Sequence, residues 1–238
     1  MALRDEIKAL TFDVFGTVVD WRTSIIRETR QLGADRELEV DWVAFTDRWR
    51  ALYQPAMEKV RSGEWGWTRL DELHRHNLDQ LLEAFGIHGL DEIELDHLNR
   101  VWHRLDPWPD SVPGMTRLKA RYILAALSNG NVALIVNMAK RAGIPWDVIL
   151  GAEVAGHYKP QPEAYFSAAE LLDLEPRECL MVAAHNGDLR AAAGCGFRTA
   201  FVARPGEYGP AQQQDLQADP GVDLAASDME DLARQLGC

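Results

Sequence analysis

Cysteine is scarce. The 238 residues contain three, Cys179, Cys195 and Cys238, an odd number at spacings that match no disulfide or zinc framework. Cys179 and Cys195 sit in apolar runs and are expected as buried thiols. No run approaches the ~18 apolar residues that a membrane span needs. The opening segment MALRDEIKAL carries too much charge for a secretory leader. These absences make a soluble, reducing, cytoplasmic setting the expectation, with no membrane partner. Basic residues are outnumbered, 25 Lys and Arg against 37 Asp and Glu, for a formal net charge of -12. No nucleic acid partner is expected, because phosphate backbones need a basic surface. A small anionic substrate stays open, since a local basic pocket can oppose the global field.

What the chain does have is an apolar content of 47%, distributed periodically and sufficient for a sizeable core. Ile7 to Val14 reads as a short strand with Asp13 near its C-terminal end and Gly16 in the bend that follows. From about residue 20 the period changes. Trp42, Phe45, Trp49, Leu52 and Ala56, with Met57 beside them, are spaced like one helix face. Leu70, Leu73, Leu78, Leu81, Leu82 and Phe85 form a second such stripe, and Leu95, Leu98, Val101, Trp102 and Leu105 a third. Gly86 and Gly89 separate the second and third stripes as turn or cap residues. Pro107, Pro109, Pro113 and Gly114 then read as a hinge.

Four further strands are expected, at Tyr122 to Leu127, Trp146 to Leu150, Cys179 to Ala184 and Phe197 to Ala203. Helices lie between them, through Leu134, Ile135 and Met138 to Gly143, from Glu163 to Leu174 and through Leu189 to Ala193. A last acidic helix begins near Ser227 or Asp228. Short strands alternating with helices predict an α/β fold, a doubly wound parallel sheet with helices on both faces. The expected division is a core of residues 1–19 and 107–238 with an inserted helical cap of residues 20–106. Such sheets bind ligands beyond the C-terminal ends of their strands. Asp13, Ser128, Lys159, Asn186 and Asp188 all follow strand-like segments and should therefore share one crevice under the helical block.

Four segments carry the chemistry, in order: FDVFGTVVD at 12–20, LSNGN at 127–131, YKPQPEAY at 158–165 and MVAAHNGD at 181–188. Together they resemble the ordered motifs of the haloacid dehalogenase superfamily. Within it the sequence is most similar to the type II (S)-2-haloacid dehalogenase branch. The resemblance implies a Rossmannoid core with a helical cap inserted after the first motif, and Asp13 as an aspartate nucleophile. It also implies hydrolysis of short (S)-2-haloacids or haloacetates to 2-hydroxy acids through an aspartyl ester. Substrate and water are the expected partners. No cofactor and no metal are expected, and a homodimer, common among relatives, is left open.

The position two residues after Asp13 separates subclasses. Phosphatases of this superfamily carry a second aspartate there, which protonates the leaving alkoxide; here it is Phe15. A halide leaves without a proton. A phosphoester without general acid help would forgo ~10²–10⁴-fold in rate. Two alternatives remain, a phosphatase on a small phosphoester and a non-catalytic protein on the same fold.

Other roles carried by the resemblance each stand beside a plainer one. Thr17 donates to Asp13 or caps a helix. Ser128 holds the substrate carboxylate and Asn129 lies near the departing halide, or both form a turn with Gly130. Lys159 balances the charge of Asp13 and the substrate, or is an ordinary surface lysine. Tyr165 lies at the site or is a core aromatic. Asp188 positions Lys159 and activates the hydrolytic water, or caps the following helix. Arg50 binds the leaving halide, with Arg48 as its rival, or is an ordinary solvated helix arginine. The last motif departs from the better-known pattern SSNAWD. Ala183 and Ala184 replace serines, His185 an asparagine and Gly187 a tryptophan, which should open the apolar wall. His185 either bonds the aspartate or the water, or is structural. His74, His76, His88, His97 and His103 match no metal or catalytic spacing and are expected to be structural or exposed. Trp65 and Trp67 line the cleft, anchor cap helices or form an oligomer contact.

Overall fold

A computed structural model describes residues 3–238. The expectation about the N-terminal segment falls partly on Met1 and Ala2, which lie outside the described residues. Six parallel strands form one sheet, in the spatial order Val148–Gly151, Ile123–Ser128, Ala9–Phe12, Cys179–Ala183, Arg198–Val202 and Leu224–Ala226. This is the expected doubly wound α/β core. The central strands are apolar apart from Thr11 and Ser128, because both faces are covered. Side chains alternate along a strand. Leu10, Phe12, Leu124, Ala126, Leu180 and Val182 therefore join one buried cluster, and Ala9, Ala125, Leu127, Cys179, Met181 and Ala183 the other.

The strand order reverses beside Ala9–Phe12. A crevice forms at the C-terminal edge of such a reversal, because neighbouring connections run to opposite faces. Asp13 follows that strand directly. The chain leaves and re-enters the sheet through an antiparallel ribbon, Val19–Asp20 paired with Asp106–Pro107. Between them lie the helices Trp21–Asp35, Trp42–Arg61, Leu70–Ala84 and Glu92–Asn99, the last tightening into a 3₁₀ turn at Arg100–Arg104. The three expected stripes fall on these elements. In Trp42–Arg61, Asp41 accepts from the free N–H groups of Val43 and Ala44, and Trp42, Phe45, Trp49, Ala56 and Met57 are buried. Burying each large apolar side chain contributes about 1.5–3 kcal/mol, so packing and not propensity holds this helix.

Three expectations are corrected. Pro113 and Gly114 lie inside a helix, Ser111–Lys119. A Cβ on Gly114 would fall 2.5 Å from the backbone of Met229, so the glycine serves helix–helix contact and not a break. Thr17 caps no helix; Asp20 caps Trp21–Asp35 by accepting from Thr23. Asp188 is not an N-cap, because helix Asn186–Gly194 starts after His185 and Asp188 stands in its first turn. The strand Leu224–Ala226 was not anticipated, being three residues long in polar surroundings. Cys179 and Cys195 are buried free thiols, as expected. Among the described residues, no helix is long and apolar enough to cross a membrane.

Candidate active site

Asp13 stands at the floor of a cavity of about 510 Å³ between the C-terminal sheet edge and helix Trp42–Arg61. Its backbone N–H continues the sheet pattern, donating to Val182. Each carboxylate oxygen is held. Lys159 Nζ donates to Oδ1 at 3.0 Å, and Thr17 donates to Oδ2 at 2.8 Å. His185 Nδ1 lies 3.0 Å from Oδ2. Burial alone would raise the carboxyl pKa. The charge of Lys159, the hydrogen bond and charge of His185 and the Thr17 hydroxyl outweigh it and hold the group well below the usual range. Asp13 is therefore an anion beside an apolar wall. That wall is Phe15, edge-on to Tyr53 and Trp102.

Lys159 bridges two carboxylates. Its ammonium also donates to Asp188 Oδ2 at 2.5 Å. Burial lowers a lysine pKa, but the charges of Asp13 and Asp188 more than reverse this, and Lys159 stays cationic. Tyr165, fully buried on helix Pro162–Leu171, donates to the other Asp188 oxygen at 2.5 Å. The Lys159 backbone N–H donates to Asn129 Oδ1 at 2.9 Å, which ties two strand-end loops together. Thr17 acts through its hydroxyl, which also accepts from the N–H of Ala184 at 2.9 Å. An alanine suffices there because its backbone does the work.

Arg50 projects from helix Trp42–Arg61 across the cavity, 4.3 Å from the Tyr53 ring centroid and 5.3 Å from that of Trp21. Its Nη1 is shut from solvent and has no hydrogen-bond partner among the described residues. An unpartnered buried donor of this kind costs free energy unless an anion meets it. Arg48, its rival, is exposed. Thr17 bonds Asp13 without lining the cavity, and neither Asn186, whose amide donates to Asp215 and to the Gln217 carbonyl, nor Ser128 lines it. Ser128 is buried, and its hydroxyl accepts from Gly130 N–H at 3.0 Å, which shapes the turn.

The sequence profile of the haloacid dehalogenase-like hydrolases matches residues 7–196. The chain belongs to this family. A relative, (S)-2-haloacid dehalogenase 1 of Pseudomonas sp. (strain CBS-3), is 29% identical over 225 residues, covering 88% of this chain and 92% of its own. Among solved structures, a defluorinating L-2-haloacid dehalogenase superposes with a TM-score of 0.96 at 52% identity, covering 98% of this chain and 96% of its own. Another L-2-haloacid dehalogenase superposes with a TM-score of 0.92 at 54% identity, covering 97% and 100%.

In this haloacid dehalogenase-like hydrolase several cavity residues went unforeseen. Tyr53, one turn beyond Arg50, and Arg61, whose Nη1 donates to the Lys159 carbonyl at 3.2 Å, line the cavity from the helical segment. Their helical spacing from Arg50 was a usable signal. Glu207 lies behind His185, whose Nε2 is 2.9 and 3.0 Å from its two oxygens. It follows the strand Arg198–Val202 and so obeyed the same edge rule that located Asp13. Gly187 lines the cavity, and a Cβ there would meet only Arg190 Nη2 at 3.9 Å. The wall is open at the position where the tryptophan is missing.

The histidines of the helical segment are structural where they are buried. His74 stacks on Trp102 at 4.2 Å, and burial lowers its pKa to about 3. His103 bonds Asp71 and Asn137. Trp65 packs on His76 and Trp67 on Tyr158, and neither lines the Asp13 cavity.

Proposed function

We propose that Asp13 is the nucleophile of a hydrolytic dehalogenation. The enzyme is an (S)-2-haloacid dehalogenase, a hydrolase acting on carbon–halide bonds. It converts short 2-haloacids to 2-hydroxy acids through an aspartyl ester. An Asp13 oxygen attacks the halogen-bearing carbon, the carbon–halogen bond breaks, and halide departs with the electron pair. Water then attacks the ester carbonyl carbon and restores the carboxylate. Arg50 receives the developing halide, since its guanidinium stays cationic and its Nη1 is unpaired. Asn129 borders the same space. Lys159 offsets the added charge of a carboxylate substrate, and Asp188 and Tyr165 fix Lys159 in place.

One observation carries this reading. The ionised Asp13 carboxylate faces a cavity in which Phe15, and not a second carboxyl group, stands two residues after it. That disfavours phosphoester hydrolysis. Halide release from chloroacetate, fluoroacetate and both enantiomers of 2-chloropropionate tests it, for the intact enzyme and for Asp13→Asn. Release falls by about 10⁶-fold in the variant, the scale for removing a nucleophile, and the S enantiomer is preferred. Equal release by both proteins would overturn the assignment of Asp13.

A further inference from the structure

His185 is clamped between two carboxylates, and only one of them belongs to the nucleophile. Nδ1 faces Asp13 Oδ2 at 3.0 Å, and Nε2 faces both oxygens of Glu207. Against the opposing effect of burial, these two side chains raise the imidazole pKa well above its ordinary value, so the resting ring carries a proton on each nitrogen. Glu207 is 1% exposed, and its Oε1 also accepts from Trp21 Nε1 at 3.0 Å. The bend after the nucleophile is shaped around it. Gly16 has φ +86°, and a Cβ there would lie 2.1 Å from Glu207 Oε1. Arg204 anchors the same loop, donating to the Thr17 carbonyl at 2.9 Å and binding both oxygens of Asp110 at 2.8 Å.

We propose that Glu207 is a positioning residue that holds His185 as the proton acceptor for the water that hydrolyses the Asp13 ester. This rests on the reading of Asp13 as nucleophile. The charged and titratable groups around His185 are Asp13 and Glu207 in contact, Tyr208 and Arg50 beside them, and Lys159 across Asp13. Asp188, the other carboxylate at the site, has one oxygen on Lys159 and the other on Tyr165. Alkylation of Asp13 removes one of the two anions that keep the ring protonated, while Glu207 keeps Nε2–H in place.

The protons balance. After the ester forms, the imidazolium releases its Nδ1 proton to solvent, and that is the one proton the overall reaction yields. Neutral Nδ1 then takes a proton from water as the oxygen of water bonds to the ester carbonyl carbon. The tetrahedral intermediate collapses, and the acyl carbon–oxygen bond to the product breaks. The product oxygen takes the proton from Nδ1. The regenerated Asp13 carboxyl passes its own proton to Nδ1, restoring the resting pair. Glu207 plays the part of the carboxylate that orients a catalytic histidine.

The test is rapid mixing of Glu207→Gln and His185→Gln with (S)-2-chloropropionate, following halide and the mass of the Asp13 peptide. Glutamine preserves an acceptor for Trp21, and circular dichroism checks that the variants fold. The first halide equivalent is expected within about threefold of the wild-type rate, while ester hydrolysis slows ~10²–10⁴-fold. The ester then accumulates on Asp13, and kcat and KM fall together. The double variant is expected to be no slower than either single one. A folded Glu207→Gln enzyme that clears the ester at the wild-type rate overturns the role of Glu207 alone. So does one in which halide release slows with no ester accumulating. If Asp13→Asn still releases halide and no adduct forms on Asp13 in any variant, the nucleophile reading itself fails.

Discussion

Lys159 Nζ sits 3.0 Å from Asp13 Oδ1, and the two residues are 146 positions apart in the chain. The pair is almost fully buried, with side-chain exposures of 6% and 11%. Two charges at this separation must be judged together, because removing one leaves the other desolvated and unpaired. The ammonium does more than lower the energy of a resting anion. It keeps Asp13 ionised against the opposing effect of burial, and ionisation is what the proposed attack requires.

Lys159→Met follows directly. With the cation gone, burial and the neighbouring Asp188 raise the Asp13 pKa, so the acid limb of kcat/KM moves to higher pH. At neutral pH kcat/KM falls by about 10²–10³-fold, the scale for losing one preorganised electrostatic partner. The pH profile of halide release measures both effects. An unshifted acid limb contradicts the role given to Lys159.

Arg50→Lys keeps a positive charge and loses the planar fork that stacks near Tyr53 and Trp21. Turnover of chloroacetate is expected to fall by about 10²-fold. Iodoacetate should suffer less, because a better leaving group needs less help. Equal losses for the two halides in steady-state assays would place Arg50 outside the leaving-group site.

Gly187→Trp restores a bulky wall where the structure leaves space. Substrates with longer alkyl groups should lose most. The ratio of kcat/KM for 2-chlorobutyrate to that for chloroacetate is expected to drop by about 10–200-fold, the discrimination available from one or two methylenes. An unchanged ratio means that the alkyl group lies elsewhere.

Arg204→Leu breaks the bidentate pair with Asp110 and strands a partly buried carboxylate. Urea unfolding should show a loss of about 3–5 kcal/mol. The double variant Arg204→Leu with Asp110→Asn should recover part of it, since the uncompensated charge is then gone. No recovery would mean that the Arg204 contact to the Thr17 carbonyl carries most of the effect.

Much of this was readable from the sequence, and the reasons differ by element. The strand Cys179–Ala183 is an uninterrupted apolar run because a parallel strand is buried on both faces, and composition alone marks it. Helix Trp42–Arg61 announced itself through an apolar stripe at helical spacing. Leu224–Ala226 was silent because three residues carry no period. Pro113 and Gly114 misled because a proline in the first turn of a helix needs no N–H partner there. Gly114 answers to Met229, which is distant in sequence.

The sequence by itself determined the identity and order of the groups that carry charge to the sheet edge: Asp13, Lys159, His185 and Asp188. It also determined that Phe15 stands where an acid would otherwise be. These are local facts, set by which residue ends which strand. Only the tertiary structure decided how the groups divide their hydrogen bonds. It turned Ser128 away from the cavity, spent both oxygens of Asp188 on Lys159 and Tyr165, and put Glu207 behind His185. The physical reason is that each carboxylate oxygen satisfies only the donors that reach it in the folded chain. Those distances depend on how loops far apart in sequence close over one another.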